Sequence, residues 1–224
     1  MEFMKEQNQE EILQIVASMS ELIDMAKVGI EIIKESQQEV YKLIAAILDV
    51  RKAGKKVVGI AEGRSALQAL WPFLMRLVHI DITAYASGQV GFTTPAISEG
   101  DLILVVSGSG TTDTNVARCE TLKKEKIPNV KVILITYDAT SILAKEYADI
   151  VICLPEKNAV IEKRKQQTQS YLTTQLIKQS EAFPLGTFFE IITATFLNAV
   201  IARLMKIIGV TEEMMRNAHI KDKA

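Results

Sequence analysis

Between Val57 and Leu154 short apolar runs alternate with stretches of helical periodicity, and this alternation restricts the chain more than any other feature. The runs are Val57 to Ala61, Ile80 to Ala86, Leu102 to Val106, Val130 to Thr136 and Ile150 to Leu154. Segments this short, apolar along most of their length and rich in Val and Ile, read as strands buried on both faces, which is the signature of a parallel sheet. A glycine turn and a helix separate the first two runs, and helices separate the third, fourth and fifth. Such a pattern winds a right-handed parallel sheet with helices on both faces. The expected fold is α/β: a three-layer α/β/α sandwich around a five-stranded parallel sheet, doubly wound in the flavodoxin-like manner. Ligands of such sheets bind at the carboxyl ends of the strands.

The 224 residues suffice for one sizeable α/β domain, and the expectation is one domain over 1–224. N-terminal helices occupy 1–52, the core sheet 55–155 and C-terminal helices 183–218. The first part carries Ile12, Ile15, Val16, Met19, Leu22 and Ile23, then Val40, Leu43, Ile44, Ile47 and Leu48, at helical spacing. This predicts two helices, or one long helix broken near Gly29. They pack on their own domain, serve as an arm for a partner, or do both. From Glu156 to Lys178 the composition turns to Lys, Gln, Glu and Thr, as in a solvated, partly helical connector, and the charge run Glu162, Lys163, Arg164, Lys165 inside it reads as a solvated face or, alternatively, as a lid whose lysine or arginine reaches a ligand. Phe183 to Ile208 then reads as a helix apolar nearly all round, and a last helix opens at Thr211 with Glu212 and Glu213 in its first turn. Apolar helices at both ends exceed what a five-stranded sheet covers, so a homodimer or homotetramer is expected.

A net charge of -1 with 24% charged residues leaves no electrostatic footprint for nucleic acid or an anionic membrane. No apolar run is read as reaching the roughly 18 residues that span a bilayer, and the first residues lack the pattern of a signal peptide, so the expected location is the cytoplasm. Cys119 and Cys153 are the only cysteines and read as buried or half-buried thiols. His79 and His219 are the only histidines, and no Cys/His pair has ligand spacing, so no metal is expected.

The third strand runs into Ser107, Gly108, Ser109, Gly110, Thr111 and Thr112, just before a helix expected from Asp113 to Lys126. Hydroxyls and glycines at the mouth of a helix are suited to phosphate. The free N–H groups and positive dipole end stabilise an anion by about 0.3–1 kcal/mol beyond the hydrogen bonds themselves. Serine and threonine add donors, and Gly108 and Gly110 let the backbone approach closely or take positive φ. The alternative is a serine-rich turn that only caps the helix. A second turn, Glu62, Gly63, Arg64, Ser65, follows the first strand and would share the same sheet edge.

With these two turns the chain resembles the sugar isomerase (SIS) family of phosphosugar-binding domains, marked by a Gly-x-Gly-x-Ser-like turn and a Ser-x-Ser-Gly-x-Thr loop. The resemblance covers roughly residues 40–210. Thr94, Pro95, Ala96 and Ile97, together with Pro184, Leu185, Gly186, Thr187, Phe188, Phe189 and Glu190, resemble the 6-phospho-3-hexuloisomerase branch, where a Pro-Met-Gly-Thr-x-Phe-Glu-like motif sets a glutamate near the bound sugar. The resemblance implies a small phosphorylated sugar as ligand, held by Gly63, Arg64, Ser65, Ser107, Gly108, Ser109, Gly110, Thr111 and Thr112. It implies an isomerase that moves a proton between neighbouring carbons through an enediolate, with Glu190 as the base, His219 as the acid/base that opens the sugar ring, and no cofactor.

Two positions depart from the branch. Arg216, Asn217, Ala218 and His219 stand where relatives read Arg-His-Ala-Asn, a displacement of two positions that turns a helical side chain by about 200°. Glu62 stands where relatives have a small residue; a carboxylate there repels phosphate unless it points away, pairs with Arg64 or marks a changed ligand. These departures leave another aldose–ketose phosphate isomerase, or a sugar-phosphate sensor without turnover, as alternatives. Only about 55 residues precede the first strand and they are not basic, which speaks against a DNA-binding domain.

Overall fold

The computed structural model describes residues 2–88, 94–156, 158, 160–163 and 187–218. The chain divides into two compact units, Met1–Glu35 with Pro155–Phe189, and Ser36–Leu154 with Glu190–Ala224.

The first unit is dominated by helix α1, Glu2–Ile33. Of the two expected arrangements, two helices form, and the alternative break near Gly29 does not: Gly29 is buried inside α1, and the interruption before the next helix is a single 3₁₀ turn, Lys34–Ser36. A lone interior glycine costs about 1 kcal/mol relative to alanine, which a helix of 32 residues absorbs. Met25 is fully buried, whereas Ile12, Val16, Met19, Ile23 and Ile30 are exposed. Their spacing alternates four, three, four and seven, with Ala26 in the gap, a heptad-like exposed apolar row. Most of the 156–178 connector, with Arg164 and Lys165 of the charge run, lies outside the described residues.

The second unit opens with helix α2, Gln37–Lys52, and contains all five strands: β1 Val57–Ile60, β2 Ala84–Ala86, β3 Leu102–Val106, β4 Lys131–Thr136 and β5 Ile150–Cys153. They form one parallel sheet in the order β2-β1-β3-β4-β5, the flavodoxin-like order, in which the direction of winding reverses between β1 and β3. A π-helical turn, Ser65–Leu70, leads from β1 into helix α3, Trp71–His79. Helix α4, Asp113–Glu125, joins β3 to β4, and only a π-helical turn, Leu143–Tyr147, joins β4 to β5. The unit ends with helix α5, Thr187–Ile208, which enters it at Glu190, and helix α6, Glu212–Ala218. As expected at the start of α6, Thr211 Oγ1 accepts the N–H of Met214 at 3.2 Å.

Both faces of the sheet are covered, which accounts for strands without polar alternation. On one face Val58, Ile60, Ile103, Val105 and Leu134 pack with Cys119 of α4 and with Leu143 and Ala144 of the π-helical turn. On the other, Gly59 admits α3 so closely that a Cβ there would lie 2.6 Å from Leu74 Cδ1. Burial pushes the Cys119 thiol up to about 11, against a lowering pull from the charge of Arg118, so it is a core group and not a nucleophile. Cys153 is a half-buried free thiol.

At the amino edge of the sheet the β1–β3 register is pinned by buried charge. Asp101, 2% exposed, accepts from Lys56 Nζ at 2.5 Å, from the N–H and hydroxyl of Ser98 at 2.7 and 3.0 Å, and from the N–H of Lys56 at 3.1 Å. Lys56 and Asp101 immediately precede β1 and β3, so this cluster aligns the two strands whose far ends carry the glycine turns.

Helix α5 is long and apolar enough to cross a membrane, which corrects the expectation that no segment reaches that length. Its charged residues, Glu190, Arg203 and Lys206, leave the stretch from Ile191 to Ala202 uncharged. Ile192, Thr193, Phe196, Leu197, Val200, Ile201 and Leu204 are buried, and this buried stripe reads as that of a core helix.

Candidate active site

The two glycine turns meet where the winding reverses. In the β1–β3 ladder Ile60 lies opposite Val105, the last pair, so the turn Glu62 to Ser65 and the loop Ser107 to Thr112 leave the sheet at the same edge. Gly63 has φ +55° and Gly110 φ +64°, conformations that L side chains enter only with strain. Around Gly110 the space is also taken, since a Cβ would overlap the Ser141 hydroxyl.

The loop from Ser107 to Thr112 is held rigidly from β4. The N–H of Ser107 donates to Ile135 O at 3.0 Å, while Gly108 O accepts from the Thr136 hydroxyl at 2.7 Å and from the N–H of Tyr137 at 3.1 Å. Leu143 N–H donates to Gly110 O at 3.2 Å. On this frame the four hydroxyls form two pairs: Ser107 Oγ with Thr112 Oγ1 at 3.3 Å, and Ser109 Oγ accepting from Thr111 Oγ1 at 3.0 Å.

Thr112 is the N-cap of α4, yet among the described residues no side-chain cap hydrogen bond is made at that end. The cap-only alternative therefore loses its expected bond. The first N–H groups of α4 stand without an intrahelical partner, and the dipole favours an anion beside them. None of the six loop side chains is charged.

Glu190, in the first turn of α5, is 5% exposed. Arg64 Nε donates to its Oε1 at 2.8 Å, which ties the carboxylate to the turn after β1. Glu190 Oε2 is buried and has no hydrogen-bond partner among the described residues. One oxygen is thus fixed in orientation by a charge-assisted bond, and the other keeps its lone pairs. One turn along the same face, Thr193 is fully buried with its hydroxyl likewise unpartnered among those residues.

Of the residues expected to form the site, Gly63, Arg64, Ser65, Ser107, Gly108, Ser109, Gly110, Thr111 and Thr112 share the carboxyl edge of β1 and β3, and Glu190 joins them through Arg64. His219, with Pro184, Leu185 and Gly186 of the motif before Glu190, lies outside the described residues. Glu62 does not pair with Arg64. Its Oε1 accepts from Arg118 Nη1 of α4 at 2.7 Å, because Arg64 is held by Glu190 and Arg118 reaches across from the neighbouring loop's helix. Three polar positions do not stand out in the sequence. Asn115 is 1% exposed with Oδ1 unpartnered among the described residues; its signal is a polar residue in the inward row that continues to buried Cys119 and half-buried Leu122. Thr193 is a hydroxyl inside an apolar helix, and Arg118 has no local signal at all. Among the described residues no three His, Cys, Asp or Glu side chains gather to hold a metal ion.

The SIS domain family model matches residues 82–177. A 3-hexulose-6-phosphate isomerase of Methylomonas aminofaciens is 37% identical over 170 residues, covering 76% of this chain and 81% of that protein. A 3-hexulose-6-phosphate isomerase of Bacillus subtilis (strain 168) is 34% identical over 157 residues, 70% and 74% of the two chains. A crystal structure of a hypothetical protein from Methanococcus jannaschii, described as inferring a molecular function of 3-hexulose-6-phosphate isomerase, superposes with a TM-score of 0.67 at 27% identity, over 89% of this chain and 98% of that one.

Proposed function

Because the chain belongs to the SIS-domain family and several of its relatives are named 3-hexulose-6-phosphate isomerase, we propose that it interconverts 3-hexulose 6-phosphate and fructose 6-phosphate. The observation that carries this reading is Glu190: a buried carboxylate, oriented by Arg64 through one oxygen and unpartnered at the other, beside a rigid loop of four hydroxyls at a helix mouth.

The phosphate sits against Ser107, Ser109, Thr111, Thr112 and the open N–H groups of α4, with Gly63 and Ser65 lining the other turn. Binding energy gathered there orients the reacting carbons. Glu190 removes the proton from C2 of the 3-ketose, giving a 2,3-enediolate, and returns it to C3; the hydroxyl proton on O2 passes to O3. A carbonyl at C2 replaces the carbonyl at C3, and the atoms balance without oxidant or cofactor. A well-placed base of this kind contributes about 10²- to 10⁴-fold in rate. His219 is the acid/base assigned to opening the cyclic sugar.

The proposal extends to assembly and location. The exposed seam Ile12, Val16, Met19, Ile23, Ile30 on α1 supports a homodimer or homotetramer built on helix pairing between copies. Two free thiols and a charged, membrane-impermeant substrate support the cytoplasm.

The test is direct. Purified full-length chain is incubated with 3-hexulose 6-phosphate and fructose 6-phosphate is measured. Conversion in both directions is expected, and no turnover at any pH between about 6 and 9 would remove the assignment.

A further inference from the structure

A phosphate dianion entering this site meets only neutral donors in the Ser107 to Thr112 loop, and two carboxylates stand close by, Glu62 in the turn after β1 and Asp113 at the start of α4. Arg64 is engaged with Glu190. Among the described residues a second arginine, Arg118, also reaches this edge, paired with Glu62 through Nη1. Its Cα lies on the second turn of α4, and helical side chains lean toward the helix N-terminus, here toward the phosphate loop.

Two contacts fix where the guanidinium goes. Nη1 donates to Glu62 Oε1 at 2.7 Å, in the turn that follows β1 at the carboxyl edge. The same group lies flat against Gly88, just past β2, where a Cβ would overlap Nη2 and sit 3.0 Å from Cζ. Gly88 has φ +80°, so both its conformation and its missing side chain serve this approach. The turn after β1, the loop after β2 and the helix after β3 therefore converge on one cation, at the edge where ligands of such sheets bind. The remaining N–H groups of Arg118 make no hydrogen bond to any described residue, and its side chain keeps 32% of its exposure.

We infer that Arg118 is a further substrate-binding residue that supplies the positive charge for the phosphate of the sugar, and that Glu62 and Gly88 are the positioning elements that aim it. The inference rests on the isomerase reading for the identity of the sugar, and on the ion-pair geometry for the role. It also accounts for Glu62: a carboxylate next to a phosphate site is tolerated because Arg118 neutralises it. Removing Arg118 alone leaves Glu62 facing the dianion, whereas removing both removes the repulsion as well as the attraction.

The experiment compares the full-length wild type with Arg118→Gln, Arg118→Lys and the double substitution Arg118→Gln with Glu62→Gln, each checked for an unchanged thermal melt. KM and kcat are measured for 3-hexulose 6-phosphate, and binding of fructose 6-phosphate and of inorganic phosphate is measured by titration calorimetry. Arg118→Gln is expected to raise KM and weaken both ligands at least tenfold with kcat changed less than about threefold; Arg118→Lys recovers part of the loss, and the double variant binds more tightly than Arg118→Gln. A folded Arg118→Gln that keeps KM and both affinities within twofold of wild type overturns the inference, as does a double variant weaker than the single one. If the wild type binds fructose 6-phosphate but turns over no hexulose phosphate, the isomerase reading fails and Arg118 is judged on binding alone. A wild type that binds neither ligand overturns both.

Discussion

Arg64 and Glu190 are 126 residues apart in the chain and 2.8 Å apart in the fold, with Nε donating to Oε1. Glu190 is almost wholly buried while Arg64 is half exposed, so the arginine reaches down from the β1 turn to meet a carboxylate already withdrawn from water. A buried carboxylate is costly unless its charge is met. Here that partner also ties Glu190 to the turn after β1, at the carboxyl edge of the sheet.

Glu190→Gln keeps the size of the side chain and an oxygen for Arg64, and removes the group that carries the proton. kcat is expected to fall by about 10²- to 10⁴-fold while fructose 6-phosphate binds within about threefold of wild type. Activity retained in this variant would end the role of Glu190 as base.

Arg64→Lys tests orientation separately from charge. Lysine brings a point charge in place of the planar fork, so the carboxylate loses its fixed bearing. A loss of about 10- to 100-fold in kcat is expected, with KM less affected. Wild-type kcat in the lysine variant would show that charge alone suffices.

Gly110→Ala places a side chain at φ +64° and against Ser141. The expected cost is about 1–3 kcal/mol in urea unfolding, accompanied by weaker phosphate binding because the loop must shift. A variant as stable and as tightly binding as wild type would mean that the loop relaxes freely.

Asp101 predicts an acid limit to stability. Burial pushes its carboxyl up, but the Lys56 ammonium and the N–H and hydroxyl donors of Ser98 and Lys56 outweigh it and hold the group below its ordinary value. A depressed folded value means stability fully present above the unfolded value of about 3.9 and lost as pH falls through the folded one. Asp101→Asn is expected to destabilise the fold at neutral pH, by about 1–3 kcal/mol, because the half-buried Lys56 loses its carboxylate, and the gap to wild type narrows below about pH 4. A gap of equal size at pH 3 and pH 7 in denaturant titrations counts against the charge as its origin.

The α1 seam predicts assembly. Light scattering is expected to report a dimer or tetramer for the wild type, and Met19→Glu with Ile23→Lys is expected to shift it toward monomer. An assembly unchanged by both substitutions would place the interface elsewhere.

Local chemistry is what the sequence alone determined. Four of the five apolar runs predict their strands within a residue, because burial in a parallel sheet demands unbroken hydrophobicity, while the run from Ile80 yields only the half-exposed edge strand Ala84–Ala86. The Ser107 to Thr112 loop is legible for the same reason: glycines and hydroxyls at a strand-to-helix turn carry their own geometry. Gly29 misleads as a break because an interior glycine is a small local cost that the surrounding helix overrides. The partners of the charges belong to the tertiary structure. Whether Glu62 meets Arg64 or Arg118 depends on which strand lies beside β1 and on how α4 leans back over the edge, and no spacing along the chain encodes that. Arg64 meets Glu190, and Arg118 meets Glu62 and Gly88, only once the order β2-β1-β3 is formed, because Coulomb attraction at such distances acts between segments that the hydrophobic sheet has first brought together.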